Sequence, residues 1–353
     1  MVANMELLEV KGLRTYFPLD EGLVKAVDGA DFTLYRGKTL AVVGESGCGK
    51  SVTAQSILRI VPPPGRIIEG ELLYHRYLQD EKNFTMADII DLSKLNPKGQ
   101  AIRAIRGNEI AMVFQEPMTS LSPVHTMGNQ IIETIMLHQK VSKAEATDRA
   151  IDILTRVGMP RPVQTVDAYP FELSGGMRQR GMIAMALSCH PSLLIADEPT
   201  TALDVTTAAQ ILDLMRQLQE ELGMAIMYIT HDLGVVAEMA DETVVMYLGK
   251  VVERADVDTL FYNPQHPYTQ ALLRSIPRIT ESRRQWLEAI KGMVPDPYNL
   301  PPGCPFNTRC QYAHEACETG EAPWVEVEPN HWVRCVLHGE AARNSGRNEG
   351  VHV

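Results

Sequence analysis

No apolar run in this 353-residue sequence is long enough to cross a membrane. Gly181–Cys189 and Ser192–Ala196 stop far short of the ~20 residues a membrane helix needs. Met1–Lys11 lacks the basic-then-apolar order of a signal peptide, so the expectation is a soluble, cytosolic protein. Positive charge is scarce: 33 Lys and Arg face 44 Asp and Glu, a net charge of −11. Proteins that grip nucleic acid carry a basic face, so that class is disfavoured, although a local basic pocket for phosphate is not excluded. Internal repeats and low-complexity segments are also missing. What remains is globular material, 45% apolar and 22% charged, enough for one large domain or a full domain with a smaller one beside it.

Short strands are expected at Leu7–Val10, Ala30–Leu34 and Thr39–Val43. The last is a continuous apolar run ending in glycine, which suits a buried parallel strand feeding a loop. A helix from Lys50 to about Ile60 should follow, stopped by Pro62–Pro64. Residues 70–108 are polar and mixed and read as an insertion with at least one helix. Helical spacing runs from Met127 to Gly158, with Ser142 and Glu145 placed as a capping box. Leu193–Ala196 and Met224–Ile229 are strand-like and flank a helix whose Ile211, Leu214, Leu218 and Leu222 share one face. Thr243–Tyr247 and Lys250–Glu253 read as a hairpin. Beyond Asn263 the composition shifts to Pro, Cys and aromatic residues, so a boundary is expected near 256–262.

Gly44-Glu45-Ser46-Gly47-Cys48-Gly49-Lys50-Ser51, continuing into Val52, fits G-x-x-x-x-G-K-[ST] between a strand and a helix. Its glycines let successive backbone N–H groups turn toward phosphate oxygens, and the following helix N-terminus adds positive potential. Lys50 reaches the outer phosphates, and the Ser51 hydroxyl can ligate Mg²⁺. Ser192-Leu-Leu-Ile-Ala-Asp197-Glu198 is an apolar strand that delivers two adjacent acids at its end. One acid can sit near Mg²⁺ while its neighbour faces an attacking water. Standing alone such a pair reads as an ordinary solvated strand end. Behind a phosphate loop it reads as a nucleotide site.

Leu173-Ser174-Gly175-Gly176-Met177 resembles the LSGGQ signature of ABC-type ATPases, departing from the commonest form only at Met177. Gln115 in Val113-Phe114-Gln115-Glu116-Pro117 matches that family's Q-loop, Ala202-Leu203-Asp204 its D-loop, and His231 its switch histidine. The five motifs stand in the family's order over about residues 5–255. The resemblance implies a fold: a P-loop (RecA-like) α/β ABC ATPase core with an antiparallel β subdomain and a helical subdomain at about 118–175. It implies roles as well. Glu198 orients or deprotonates water, His231 contacts the γ-phosphate, Asp197 holds the Mg²⁺ shell, and Gln115 contacts Mg²⁺ and reports nucleotide state. Ser174, Gly175 and Gly176 would bind the nucleotide in trans, across a head-to-tail dimer. No N-K-x-D element for guanine is present, and the resemblance implies ATP as the nucleotide. The resemblance also implies an early aromatic stacked on adenine, with Phe17 preferred to Tyr16 and core packing as the alternative for Phe17.

Asn263–Pro277 and Leu300–Cys310, continuing to Cys317 and Cys335, resemble the segment after the ATPase core in the oligopeptide/dipeptide/nickel importer family. The division expected is 1–258 for the nucleotide-binding domain and 259–353 for an accessory region, with a Cys-rich module at about 300–338. Four clustered cysteines in a cytosolic chain suggest metal. Gaps of five, six and seventeen residues match zinc ribbons poorly. The resemblance implies a structural [4Fe–4S] cluster on Cys304, Cys310, Cys317 and Cys335, with zinc the alternative and disulfides a further one.

The function implied is that of an ATP hydrolase, the ATP-binding subunit of an ABC importer, driving uptake of a peptide, nickel chelate or oligosaccharide. Its partners would be a second ATPase in a heterodimer, two transmembrane permease subunits and, indirectly, an extracytoplasmic solute-binding protein. No nucleic acid is expected, and the chain would sit peripherally at the cytoplasmic face of the inner membrane. The alternatives are a soluble ABC ATPase acting on DNA or ribosomes, and an iron–sulfur redox protein that merely binds nucleotide. A tandem second ATPase half and a basic face would favour the first, and neither is present. Complete Glu198 and His231 positions argue against the second.

Overall fold

Strand-forming sequence dominates the first hundred residues. The computed structural model describes residues 5–80, 83–115, 120–201, 203–276 and 290–339. Its chain opens with β1 (Glu6–Leu19), β2 (Gly22–Tyr35), β3 (Thr39–Val43), α1 (Lys50–Ile57), β4 (Arg66–Asp80) and β5 (Asn83–Asp91). Strands β2-β1-β4-β5 form an antiparallel sheet in that order. Its inner face buries Leu8, Val10, Phe32, Leu34, Leu72 and Tyr74. The expected insertion at 70–108 is therefore largely a β-hairpin, followed by the short helix α2 (Gln100–Ile105). The hairpin leaves Leu78, Met86 and Ile89 exposed, and this blurs the two-residue alternation by which such a strand is read.

A helical layer comes next: β6 (Ile110–Val113), α3 (Met127–His138), α4 (Lys143–Arg156), α5 (Pro162–Thr165) and α6 (Gly175–Leu187). The Ser142 side chain accepts from Glu145 N at 3.2 Å, as the capping box requires, but the Glu145 carboxylate pairs with Arg149. Ile131, Ile135, Ile153 and Leu154 bury the facing stripes of α3 and α4. The second sheet is completed by β7 (Leu193–Asp197), α7 (Val205–Leu222), β8 (Ala225–Thr230), α8 (Leu233–Met239), β9 (Glu242–Tyr247) and β10 (Lys250–Asp256). Strands β9-β3-β8-β7-β6 run parallel. Every residue of β3, β7 and β8 is buried, because helices or the first sheet cover both faces.

The remaining elements are α9 (Val257–Tyr262), α10 (Pro267–Arg274), α11 (Ala316–Thr319), β11 (Trp324–Glu328) and β12 (His331–Arg334). β12 pairs with β10, so the second sheet reads β11-β12-β10-β9-β3-β8-β7-β6 and continues into the tail. The carboxylate of Glu253, fully buried on β10, accepts from the backbone N–H of Gln265 and His266 and pairs with His331 at 2.8 Å. A buried polar group needs such partners. Tyr247, Tyr268 and Phe306 pack edge-on and tilted in an aromatic group that joins the tail to the core. Among the described residues no helix is long and apolar enough to cross a membrane.

Candidate functional site

Strand β3 delivers its loop at the carboxyl end of a parallel sheet, where open α/β sheets place ligands. At Gly44 (φ +152°) an added Cβ would collide with the Met246 carbonyl, and at Gly49 (φ +101°) with that of Ala26. Only glycine fits at both points. Lys50 opens α1 and is buried, its ammonium donating to Gly44 O (2.8 Å) and Glu45 O (3.1 Å). Ser51 Oγ donates to Asp197 Oδ1 at 3.1 Å. Burial pushes the Asp197 carboxyl above its ordinary range, and the Ser51 hydrogen bond pulls it back in part.

Glu198 is the hub of the acidic end. It sits at φ +45°, a left-handed conformation that a non-glycine residue adopts at a cost, with its N–H bonded to Ile229 O at 2.9 Å. Its carboxylate accepts from Gln115 Nε2 (3.1 Å) and Thr201 Oγ1 (3.0 Å) and meets His231 Nδ1 at 3.1 Å. Ser46, Lys50, Ser51, Gln115, Glu198 and His231 line one cavity of about 550 Å³, which Gly47, Cys48, Gly49 and Val52 also border. Its walls offer loop amides, the Lys50 ammonium, the hydroxyls of Ser46, Ser51 and Thr201, the Glu198 carboxylate and the His231 imidazole. That set suits a polyphosphate with a hard divalent cation and a water beside it.

Other expected residues lie elsewhere. Ser174 caps α6 by accepting from Met177 N at 3.3 Å, and Ser174 and Gly175 are solvent-exposed. None of Ser174, Gly175 and Gly176 borders the cavity. Phe17 is half-buried with its ring against Gly65, while the Tyr16 hydroxyl donates to Asp28 at 2.6 Å. Neither ring lines the cavity, which Ala26 borders on that side. Ala202, Glu116 and Pro117 lie outside the described residues. Two contributors went unassigned in sequence: Thr201, three residues beyond Glu198, and Arg309, whose guanidinium reaches Glu45 from the tail. No local pattern marks either.

The four tail cysteines are free thiols around one void of about 10 Å³, room for roughly one water molecule. Zinc would draw its ligand atoms within van der Waals contact of one another. Among the described residues, the group of three or more potential ligands gathered that tightly is Glu6, Glu9 and His75, not the cysteines. Burial raises the Cys304 and Cys310 thiols and pushes Cys335 up to about 12.

Residues 27–201 match the family described as ABC transporter, and residues 252–317 the family described as oligopeptide/dipeptide transporter, C-terminal region. The oligopeptide transport ATP-binding protein AppD of Bacillus subtilis is 49% identical over 335 residues, covering 95% of this chain and 97% of AppD. OppD of the same organism, also an oligopeptide transport ATP-binding protein, is 47% identical over 345 residues, covering 97% of this chain and 92% of OppD. A dimeric ATP-binding cassette in a post-hydrolysis state bound to ADP and Pi superposes with a TM-score of 0.60 at 25% identity, covering 71% of this chain and 99% of the cassette. These relatives bring ATP binding and peptide transport to the comparison and no iron–sulfur centre. That finding corrects the expectation of an iron–sulfur cluster on Cys304, Cys310, Cys317 and Cys335.

Proposed function

We infer that this chain, which belongs to the ABC transporter family, is the ATP-binding subunit of a peptide importer. It hydrolyses ATP to ADP and phosphate, coupled to transport. The observation that carries the chemistry is the Glu198 carboxylate, held by Gln115, Thr201 and His231 at the edge of the phosphate-loop cavity. Loop amides 46–51 bind phosphate oxygens, and Lys50 exchanges its two carbonyl partners for the outer phosphates. Glu198 orients the attacking water and receives its proton on a carboxylate oxygen. His231 holds that carboxylate from the far side and offers its other ring nitrogen to the γ-phosphate. The Ser51–Asp197 pair, with Gln115, supplies the hard oxygen donors that fit Mg²⁺, which when bound neutralises phosphate charge. Phe17 is the proposed adenine contact, supported by its place on β1 and not by the cavity's lining.

Ser174, Gly175 and Gly176 complete the site of a second ATPase subunit. Supporting this, they open a helix whose Ser174 and Gly175 are exposed, none of the three borders their own chain's cavity, and a helix N-terminus offers N–H groups suited to phosphate. The second subunit is a different chain, giving a heterodimer. Two permease subunits form the path through the membrane and hold this chain peripherally at its cytoplasmic face, with a solute-binding protein on the other side. Residues 1–258 are the nucleotide-binding domain, residues 259–353 an accessory region, and about 300–338 a Cys-rich module within it. The relatives favour peptide over nickel chelate or oligosaccharide, and give no support to action on DNA or ribosomes. Hydrolysis per chain should rise with protein concentration, and again on adding the partner ATPase and permeases. Brisk, concentration-independent turnover by a verified monomer would sink the shared site; failure of the assembled complex to bind ATP would sink the function.

A further inference from the structure

Glu45 is the second residue of the phosphate loop, and three of its groups are tied down. Its carbonyl accepts from the Lys50 ammonium at 3.1 Å. Its backbone N–H donates to the Tyr268 hydroxyl at 2.9 Å, a contact spanning 223 positions. Its carboxylate takes two bonds from the Arg309 guanidinium, at 2.6 and 3.1 Å, across 264 positions. Arg309 is itself fixed: its side chain is only 4% exposed, it donates to Tyr247 Oη and Lys291 O, and it lies over the Tyr247 and Phe306 rings. Beside Glu45 its already high pKa rises further, so it is a permanent cation. Opposite, the Met246 and Ala26 carbonyls close on Gly44 and Gly49. The loop is thus gripped between the core sheet and the tail.

We propose that Arg309 and Tyr268 are positioning residues for ATP, holding the phosphate loop through Glu45 in the shape that receives phosphate. This rests on the ATPase reading above and adds to it a task for the C-terminal region: sustaining nucleotide affinity from outside the nucleotide-binding domain. A bidentate guanidinium–carboxylate pair fixes orientation as well as distance, which a lysine in its place would not. Releasing it lets the loop sample shapes that do not bind phosphate, and apparent affinity falls by the fraction of chains so diverted.

The test is ATP titration of the full chain, with amide hydrogen exchange in parallel. Arg309→Ala should weaken ATP binding about tenfold and speed exchange of amides 44–49, while β11 and β12 stay protected. Arg309→Lys should recover part of the loss, and Tyr268→Phe should cost about threefold. In a Glu45→Gln background, Arg309→Ala should add less than about twofold, because both changes break one link. Folded Arg309→Ala protein with wild-type affinity and loop exchange overturns the proposal, as do effects that multiply fully in the double variant. If Arg309→Ala does not fold, wild-type affinity in both Arg309→Lys and Tyr268→Phe overturns it. Wild-type chain that binds no ATP would overturn this proposal and the ATPase reading together, whereas wild-type binding with unaffected variants overturns this proposal alone.

Discussion

Two places in this molecule gather side chains from distant parts of the chain. Lys50, Ser51, Gln115, Glu198 and His231 meet around a cavity of about 550 Å³. Cys304, Cys310, Cys317 and Cys335 meet around a void of about 10 Å³. The first group mixes an ammonium, a hydroxyl, an amide, a carboxylate and an imidazole, each holding a neighbour it can release to a ligand. The second holds four thiols, with burial raising three of them against ionisation. Convergence of one residue type is therefore not enough to make a site. Room for a ligand and unlike groups able to exchange partners are what separate the two.

The largest expected effect breaks the first group at its hub. Glu198→Gln should retain ATP binding while hydrolysis by the assembled complex falls by ~10²–10⁴-fold, the range of a general base. Near-wild-type turnover would remove Glu198 from that role. A smaller effect concerns the buried charge of Asp197. Because burial raises its folded pKa above the ordinary 3.8, the folded state holds a proton more tightly than the unfolded one. Stability is thus lost as pH rises through the window above 3.8, and the cost persists at neutral pH. Asp197→Asn should therefore raise Tm by about 2 °C more at pH 8 than at pH 4. An equal gain at both, read by thermal melts of nucleotide-free protein, would mean the charge carries no net cost. The smallest effect lies at the thiols. Cys335→Ala removes one buried sulfur and should cost about 1 kcal/mol in denaturant unfolding while ATP turnover stays within about twofold. Loss of turnover with an intact fold would make the thiol group a working part of the ATPase and erase the contrast.

Much of the catalytic half was legible because its signals are local. The phosphate loop must be glycine-rich where the backbone closes on Met246 and Ala26, and β3, β7 and β8 are mostly apolar where both faces are covered. The β4–β5 hairpin was not legible, since its apolar residues face outward as well as inward. The continuation of the sheet from β10 into β12 was hidden as well, because pairing between Glu253 and Val333 leaves no mark within either segment.

The order of the motifs, the buried strands and the acids at the end of β7 were determined by the sequence alone, for each depends on chain neighbours and on a simple period of burial. Tertiary structure decided the rest. It turned Thr201 and His231 onto one carboxylate, left the Ser174 helix end facing solvent, brought the four tail cysteines around one small void and set Arg309 against Glu45. These depend on contacts between residues up to 264 positions apart, and such contacts exist only once packing of the whole chain has fixed where each segment lies.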